Sequence, residues 1–126
     1  MARPEAVRRV KNYSSLATGH VYQYYFLETN RVQRGTSRGI EYVYRVSADR
    51  QAAYALRIFV EGAAVEDWSR RAGRKLSGTE EYAVAKMRLF QAFDELPELA
   101  GAPAEEKPEL RVDETNLDAL LETLGI

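Results

Sequence analysis

Hydrophobic and polar residues alternate most regularly over residues 40–47. There Ile40, Tyr42, Tyr44 and Val46 fall on one side, and Glu41, Val43, Arg45 and Ser47 on the other. A period of two belongs to an extended strand, whose successive side chains point to opposite faces. Residues 52–60 repeat it, with Tyr54, Leu56, Ile58 and Val60 opposed to Ala53, Ala55, Arg57 and Phe59. Residues 20–29 (HVYQYYFLET) are aromatic-rich and apolar on both sides, which predicts a strand covered on both faces. Residues 30–39 read as a basic loop, and 48–51 as a tight connection. Three strands joined by short links predict an antiparallel meander, because parallel neighbours need long crossovers.

Elsewhere the period is helical. Residues 4–12 predict a short helix, with Pro4 in its first turn and Val7 and Val10 on one face. Ala64, Val65, Trp68 and Ala72 predict another, stopped by Gly73, with Glu66 and Asp67 near its start. Ser77-Gly78-Thr79-Glu80 has the form of a capping box and opens a long helix that Pro97 closes. Its apolar stripe, Tyr82, Ala85, Leu89, Phe93 and Leu96, is widened by Ala83, Met87 and Phe90, so two of its sides need cover. Leu117, Leu120, Leu121 and Leu124 follow the i, i+3, i+4, i+7 pattern of a short terminal helix. Alone it is marginal, so its leucines need a groove on this chain or on a partner.

The expected fold is α+β: a three-stranded antiparallel meander packed by two or three helices. Residues 1–96 form a basic domain, 97–112 a linker rich in Pro, Ala and Glu, and 113–126 an acidic amphipathic helix. The α-β-β-β-α order resembles double-stranded RNA-binding domains in topology alone. The Gly-Pro-x-His-type loop and the Lys-Lys-x-Ala helix start of that family are missing.

Composition narrows the chemistry. The 126 residues suit one domain, and 45% hydrophobic residues can form a core. The absence of Cys excludes disulfides, Cys-based zinc sites and thiol chemistry, and a single His excludes a His-rich metal site. No apolar run suggests a signal peptide or a membrane span, so a cytoplasmic protein without a membrane partner is expected. No motif calls for a cofactor, a metal or a catalytic residue. His20 remains a conceivable general base, although a strand-edge structural role suits it as well. The carboxylate pairs lie on single helices and do not converge as catalytic pairs must.

Charge changes the picture most. The net charge of −1 hides a segment, 1–93, with 16 Lys and Arg against nine acids, and another, 94–126, with two against ten. Such asymmetry points to contact with a polyanion, or to an acidic segment masking a basic one. The candidate nucleic-acid contacts are Arg31, Arg34 and Arg38, Arg70, Arg71, Arg74 and Lys75, together with Arg45 and Arg57 beside Val43 and Phe59. The Tyr-rich strands suggest a stacking platform for single strands, but Tyr42, Tyr44 and Tyr54 share faces with Ile, Leu and Val and read as core. The first expectation is therefore a non-enzymatic binding protein that contacts nucleic acid. The second is a protein-interaction module or obligate homodimer, with Leu117, Leu120, Leu121 and Leu124 as its docking helix. The third is an enzyme built on His20.

Overall fold

The computed structural model describes residues 9–101 and 107–126. The predicted meander is present as β2 (Val21–Arg34), β3 (Ser37–Ala48) and β4 (Tyr54–Glu61). It is flanked by β1 (Lys11–Ser14), antiparallel to β2, and β5 (Leu110–Val112), parallel to β4. The result is one curled, mixed, five-stranded sheet in the order β1-β2-β3-β4-β5. Among the described residues four helices accompany it: α1 (Gly62–Ala72), α2 (Gly78–Glu95), α3 (Glu98–Gly101) and α4 (Leu117–Thr123). The α+β class and the antiparallel meander agree with the sequence pattern; the count of three strands does not.

Each difference has a local cause. Lys11 and Asn12 belong to β1 rather than to a helix, and the earlier part of that expected helix, up to residue 8, lies outside the described residues. Two valines three apart were too weak a signal against Tyr13, which turns inward to stack on Phe90 at 4.6 Å. The basic loop is a β-hairpin. β2 runs on to Arg34 and β3 starts at Ser37, joined by Gly35-Thr36, with Gly35 at φ 63° as a II′ turn requires. Arg31, Gln33 and Arg38 are exposed there, so no apolar alternation announces the strands. Leu110–Val112 is strand, not linker, and residues 102–106 lie outside the described residues. Three residues are too short to show a period.

The expected cover on both faces of β2 is not found: on its outer face Val21 is 37% exposed and Tyr25 is half-buried. The register with β3 shifts between Phe26 and Glu28, so Leu27 is the extra residue and the inward phase changes there. Tyr22 and Tyr24 point into the core before it; Thr29 and Arg31, paired with Tyr42 and Ile40, share the inner face after it.

The core lies between the inner face of the sheet and α2. Tyr22, Tyr44, Leu56 and Ile58 meet Val84, Ala85, Leu89 and Phe93, and the Tyr22 and Phe93 rings stack at 4.1 Å and 8°. The second apolar side of α2 is covered by β5 and α4, whose Leu117, Leu120 and Leu121 are buried. The wide stripe on α2 is thus satisfied within one chain. α2 begins with the expected capping box, in which Ser77 accepts from the Glu80 N–H and Glu80 from the Ser77 N–H.

Buried tyrosines differ in what their hydroxyls meet. Tyr54 donates to the Leu99 carbonyl at 2.8 Å and Tyr42 to Glu81 at 2.7 Å, whereas the buried Tyr22 hydroxyl has no hydrogen-bond partner among the described residues. An unsatisfied buried polar group costs about 1–3 kcal/mol. Tyr22→Phe is therefore expected to leave stability unchanged or raise it by about 1 kcal/mol, and Tyr54→Phe to lower it by about 1 kcal/mol. Urea midpoints of the two variants check the opposite signs.

Candidate polyanion interface

The arginines fall into two groups: those matched with acids and those left unmatched. Arg34 belongs to the first. It lies on the outer face of the sheet, where its guanidinium donates to Glu41 at 2.7 Å and to Glu109 at 2.8 Å. Glu41 is only 6% exposed, and it also accepts from Asn30 and lies 3.7 Å from Arg57. Arg34 and Arg111 lie over the Phe59 ring, at 5.8 and 4.9 Å from its centroid. The two guanidinium planes cover an aromatic ring that would otherwise face solvent, and Phe59 is fully buried. Gly39 makes this packing possible, because a Cβ there would overlap the Val60 carbonyl and come within 2.8 Å of the Phe59 ring.

The second arginine cluster is also largely neutralised. Arg71 reaches Asp67 and makes two bonds of 3.1 Å to Asp118. Arg74 forms a bidentate pair with Glu80 at 2.8 and 2.9 Å and stacks on Trp68. Arg70 is 3.4 Å from Asp67. The Arg74 fork, followed by the Ser77 N–H, lowers the Glu80 pKa to about 2. Because that folded value lies below the unfolded one of 4.5, the stabilisation is complete above pH 4.5 and is lost as pH falls towards 2. The difference in urea midpoint between the wild type and Glu80→Gln should therefore shrink over that window. A difference independent of pH would contradict this assignment.

Arg31, Arg38, Arg45 and Lys75 have no acidic partner among the described residues. Arg45 stands on the outer face, opposite Tyr25 in the β2–β3 register. Arg31 and Arg38 share the inner face of the hairpin, in register with Ile40 and Gln33. With Val32, Gly39 and Gly62 these four residues line a cavity of 510 Å³. Gly62 is the first residue of α1, which has no acidic side chain in its first turn. The positive end of a helix dipole and two guanidinium groups with no acidic partner among the described residues therefore line one cavity. A second cavity, of 440 Å³, is lined by Val65, Ser69, Arg70, Lys75 and Leu76 among others. Gly62, Val65, Glu66 and Ser69 recur at helical spacing, so the two cavities open along the same side of α1.

The structure thus brings Arg31 and Arg38 together, places Arg70 and Lys75 at the other end of α1, and sets Arg34, Arg45 and Arg57 on the opposite face of the sheet. Sequence reasoning missed the role of Gly62, whose position at a strand-to-helix junction was the available signal. Leu117, Leu120 and Leu121 occupy the core of their own chain, and Leu124 packs against it half-buried. His20 pairs through Nδ1 with Asp49 at 2.7 Å, and Asp49 also accepts the Val21 N–H. These bonds, the N–H first, hold the Asp49 carboxyl below its ordinary pKa and fasten the β3–β4 turn to the start of β2. The described residues contain no group of three or more His, Asp or Glu able to hold a metal ion, and no helix long and apolar enough to cross a membrane.

No family model, curated protein or solved structure matches the chain.

Proposed function

We propose that the protein is a non-enzymatic binding module that takes the phosphate backbone of a nucleic acid at the notch between the β2–β3 hairpin and α1. The observation that carries this reading is the pairing pattern. Arg34, Arg57, Arg71 and Arg74 each have a carboxylate, while Arg31 and Arg38 lie together at the positive end of a helix with none among the described residues. Like charges grouped in this way favour an anion from solution, and arginine's planar fork matches phosphate oxygens. Lys75, just beyond the end of α1, extends the basic path, with Glu66 and the Asp67-paired Arg70 between it and the notch.

The acidic segment regulates the charge by direct contact. Glu109 neutralises Arg34, and Asp118 neutralises Arg71. Binding of labelled single-stranded and duplex oligonucleotides, measured against salt, tests the proposal. Affinity should fall with salt. Arg31→Gln/Arg38→Gln should weaken binding and reduce the logarithmic salt slope by roughly one for each phosphate that is no longer neutralised. Wild-type protein that binds neither probe at low salt, or a double variant with an unchanged slope, would overturn it.

Among the described residues β1 is an edge strand of the sheet, which supports a second reading, self-association. Val10, Leu16 and Val21 are 53, 99 and 37% exposed beside it, and an unpaired strand edge is a ready template for another chain. Sedimentation at rising concentration should then show a dimer that Leu16→Glu weakens; a monomer throughout would remove this reading.

A further inference from the structure

Arg31 and Arg38 are diagonal neighbours across the β2–β3 ladder, since Arg31 pairs with Ile40 and Arg38 with Gln33, two positions on. Diagonal positions on one face of an antiparallel pair are roughly 7–8 Å apart, a gap that two long side chains span. Both arginines are exposed and line the 510 Å³ cavity together with half-buried Val32 and Ile40. A Cβ at Gly62 would come to 3.0 Å from the Arg38 carbonyl, so the start of α1 lies against the backbone that carries Arg38. The positive charge does not continue along α1. Glu66 follows on that side, exposed and with no basic partner among the described residues, and Arg70 after it lies 3.4 Å from Asp67.

We propose that the notch selects the phosphorylated end of a nucleic-acid strand, a terminal phosphate monoester, over internal phosphodiesters. This rests on the phosphate-binding reading above and adds which phosphate is taken. An internal phosphodiester carries a single charge and brings further phosphates beside it, so a strand laid along α1 meets the Glu66 carboxylate. A phosphate monoester carries about 1.5–2 negative charges at pH 7 and presents three acceptor oxygens. Two guanidinium forks lining one cavity match that charge and those oxygens. Its single chain leaves the notch for solvent without passing Glu66. Arg31 and Arg38 thus hold the terminal oxygens, Val32 and Ile40 give the terminal sugar an apolar wall, and Glu66 disfavours a strand bound side-on.

Fluorescence anisotropy of the full chain with three single-stranded oligonucleotides of one sequence tests the proposal. One carries a 5′-phosphate, one a 3′-phosphate and one hydroxyls at both ends, each labelled on an internal base. A phosphorylated end should bind several-fold tighter than the hydroxyl-ended strand, and the two phosphorylated strands identify which end is taken. Arg31→Gln/Arg38→Gln should abolish the preference and Lys75→Gln should retain it. Glu66→Gln should tighten the hydroxyl-ended strand most and so narrow the gap. Equal affinity for all three strands, still lost in the arginine variant, would overturn end selection and leave the backbone reading standing. Binding of none of the three would remove both. A preference that survives in the arginine variant would also overturn the assignment. Circular dichroism of each variant confirms that the comparison is made between folded proteins.

Discussion

Removing residues 107–126 is expected to unfold the protein rather than liberate a stable basic domain. Charge arithmetic favours the opposite outcome, because the removed part is strongly acidic. Packing decides against it. Leu110, Val112, Leu117, Leu120 and Leu121 are at most 2% exposed, and they cover α2 and complete the sheet beside β4. Truncating one buried leucine to alanine typically costs about 2–5 kcal/mol, against a total domain stability of about 5–15 kcal/mol. Losing several together exceeds what the remainder can supply. Thermal denaturation followed by circular dichroism should show no cooperative transition in the truncated chain, and Leu120→Ala alone should cost about 2–5 kcal/mol. A truncated protein with a wild-type transition would contradict the structure. Masking is better probed by Glu109→Gln/Asp118→Asn, which removes one of the two carboxylates from each of Arg34 and Arg71, leaving Glu41 and Asp67, and keeps the leucines in place. That variant should bind polyanions more tightly at low salt and converge on the wild type at high salt.

Gly39→Ala should be strongly destabilising. In most strands the replacement helps, since glycine gives up more chain entropy and packs no side chain. At position 39 the new Cβ meets backbone, the Val60 carbonyl, which cannot rotate away, and the Phe59 ring held beneath Arg34 and Arg111. Overpacking of this kind costs about 1–3 kcal/mol and occasionally more. It also disturbs the Arg34–Glu41–Glu109 network that neutralises the outer face. Gly78→Ala serves as the contrast, since a Cβ there meets no atom within 4 Å at the first residue of α2. It should be neutral or mildly stabilising. Equal effects of the two substitutions on the urea midpoint would contradict the close approach at Gly39.

The parts of the fold legible in the sequence were those with long, one-sided patterns. β3 and β4 alternate over enough residues to determine both their existence and their inner faces. Ser77 with Glu80, and Gly73, mark helix ends by local chemistry that needs no tertiary information. The missed elements lacked such patterns. β1 and β5 have four and three residues, and the hairpin tip is solvated on both faces. Leu27 displaced the phase of β2 by one residue, which no periodicity reveals without knowing its partner. The candidate interface was legible as a set of arginines but not as a site. Sequence placed Arg34 and Arg38 in one loop. The pleat sends them to opposite faces, where Arg34 meets two carboxylates and Arg38 meets Arg31. Glu41 and Glu109, which separate the structural arginines from the free ones, lie far apart in the chain, so their convergence is a product of the fold alone.

The central claim is that an anion belongs at the notch formed by Arg31, Arg38 and the first turn of α1. The most direct measurement is a residue-resolved amide NMR titration of the full chain with a short oligonucleotide at low salt. The largest shifts should fall on the amides of Gly62, Ala63 and Ala64 and on residues 31–40, with smaller ones near Arg70 and Lys75, and all should diminish as salt is added. Shifts confined to the outer face around Arg34, Arg57 and Phe59 or to the edge of β1, or no shifts at all, would contradict the account.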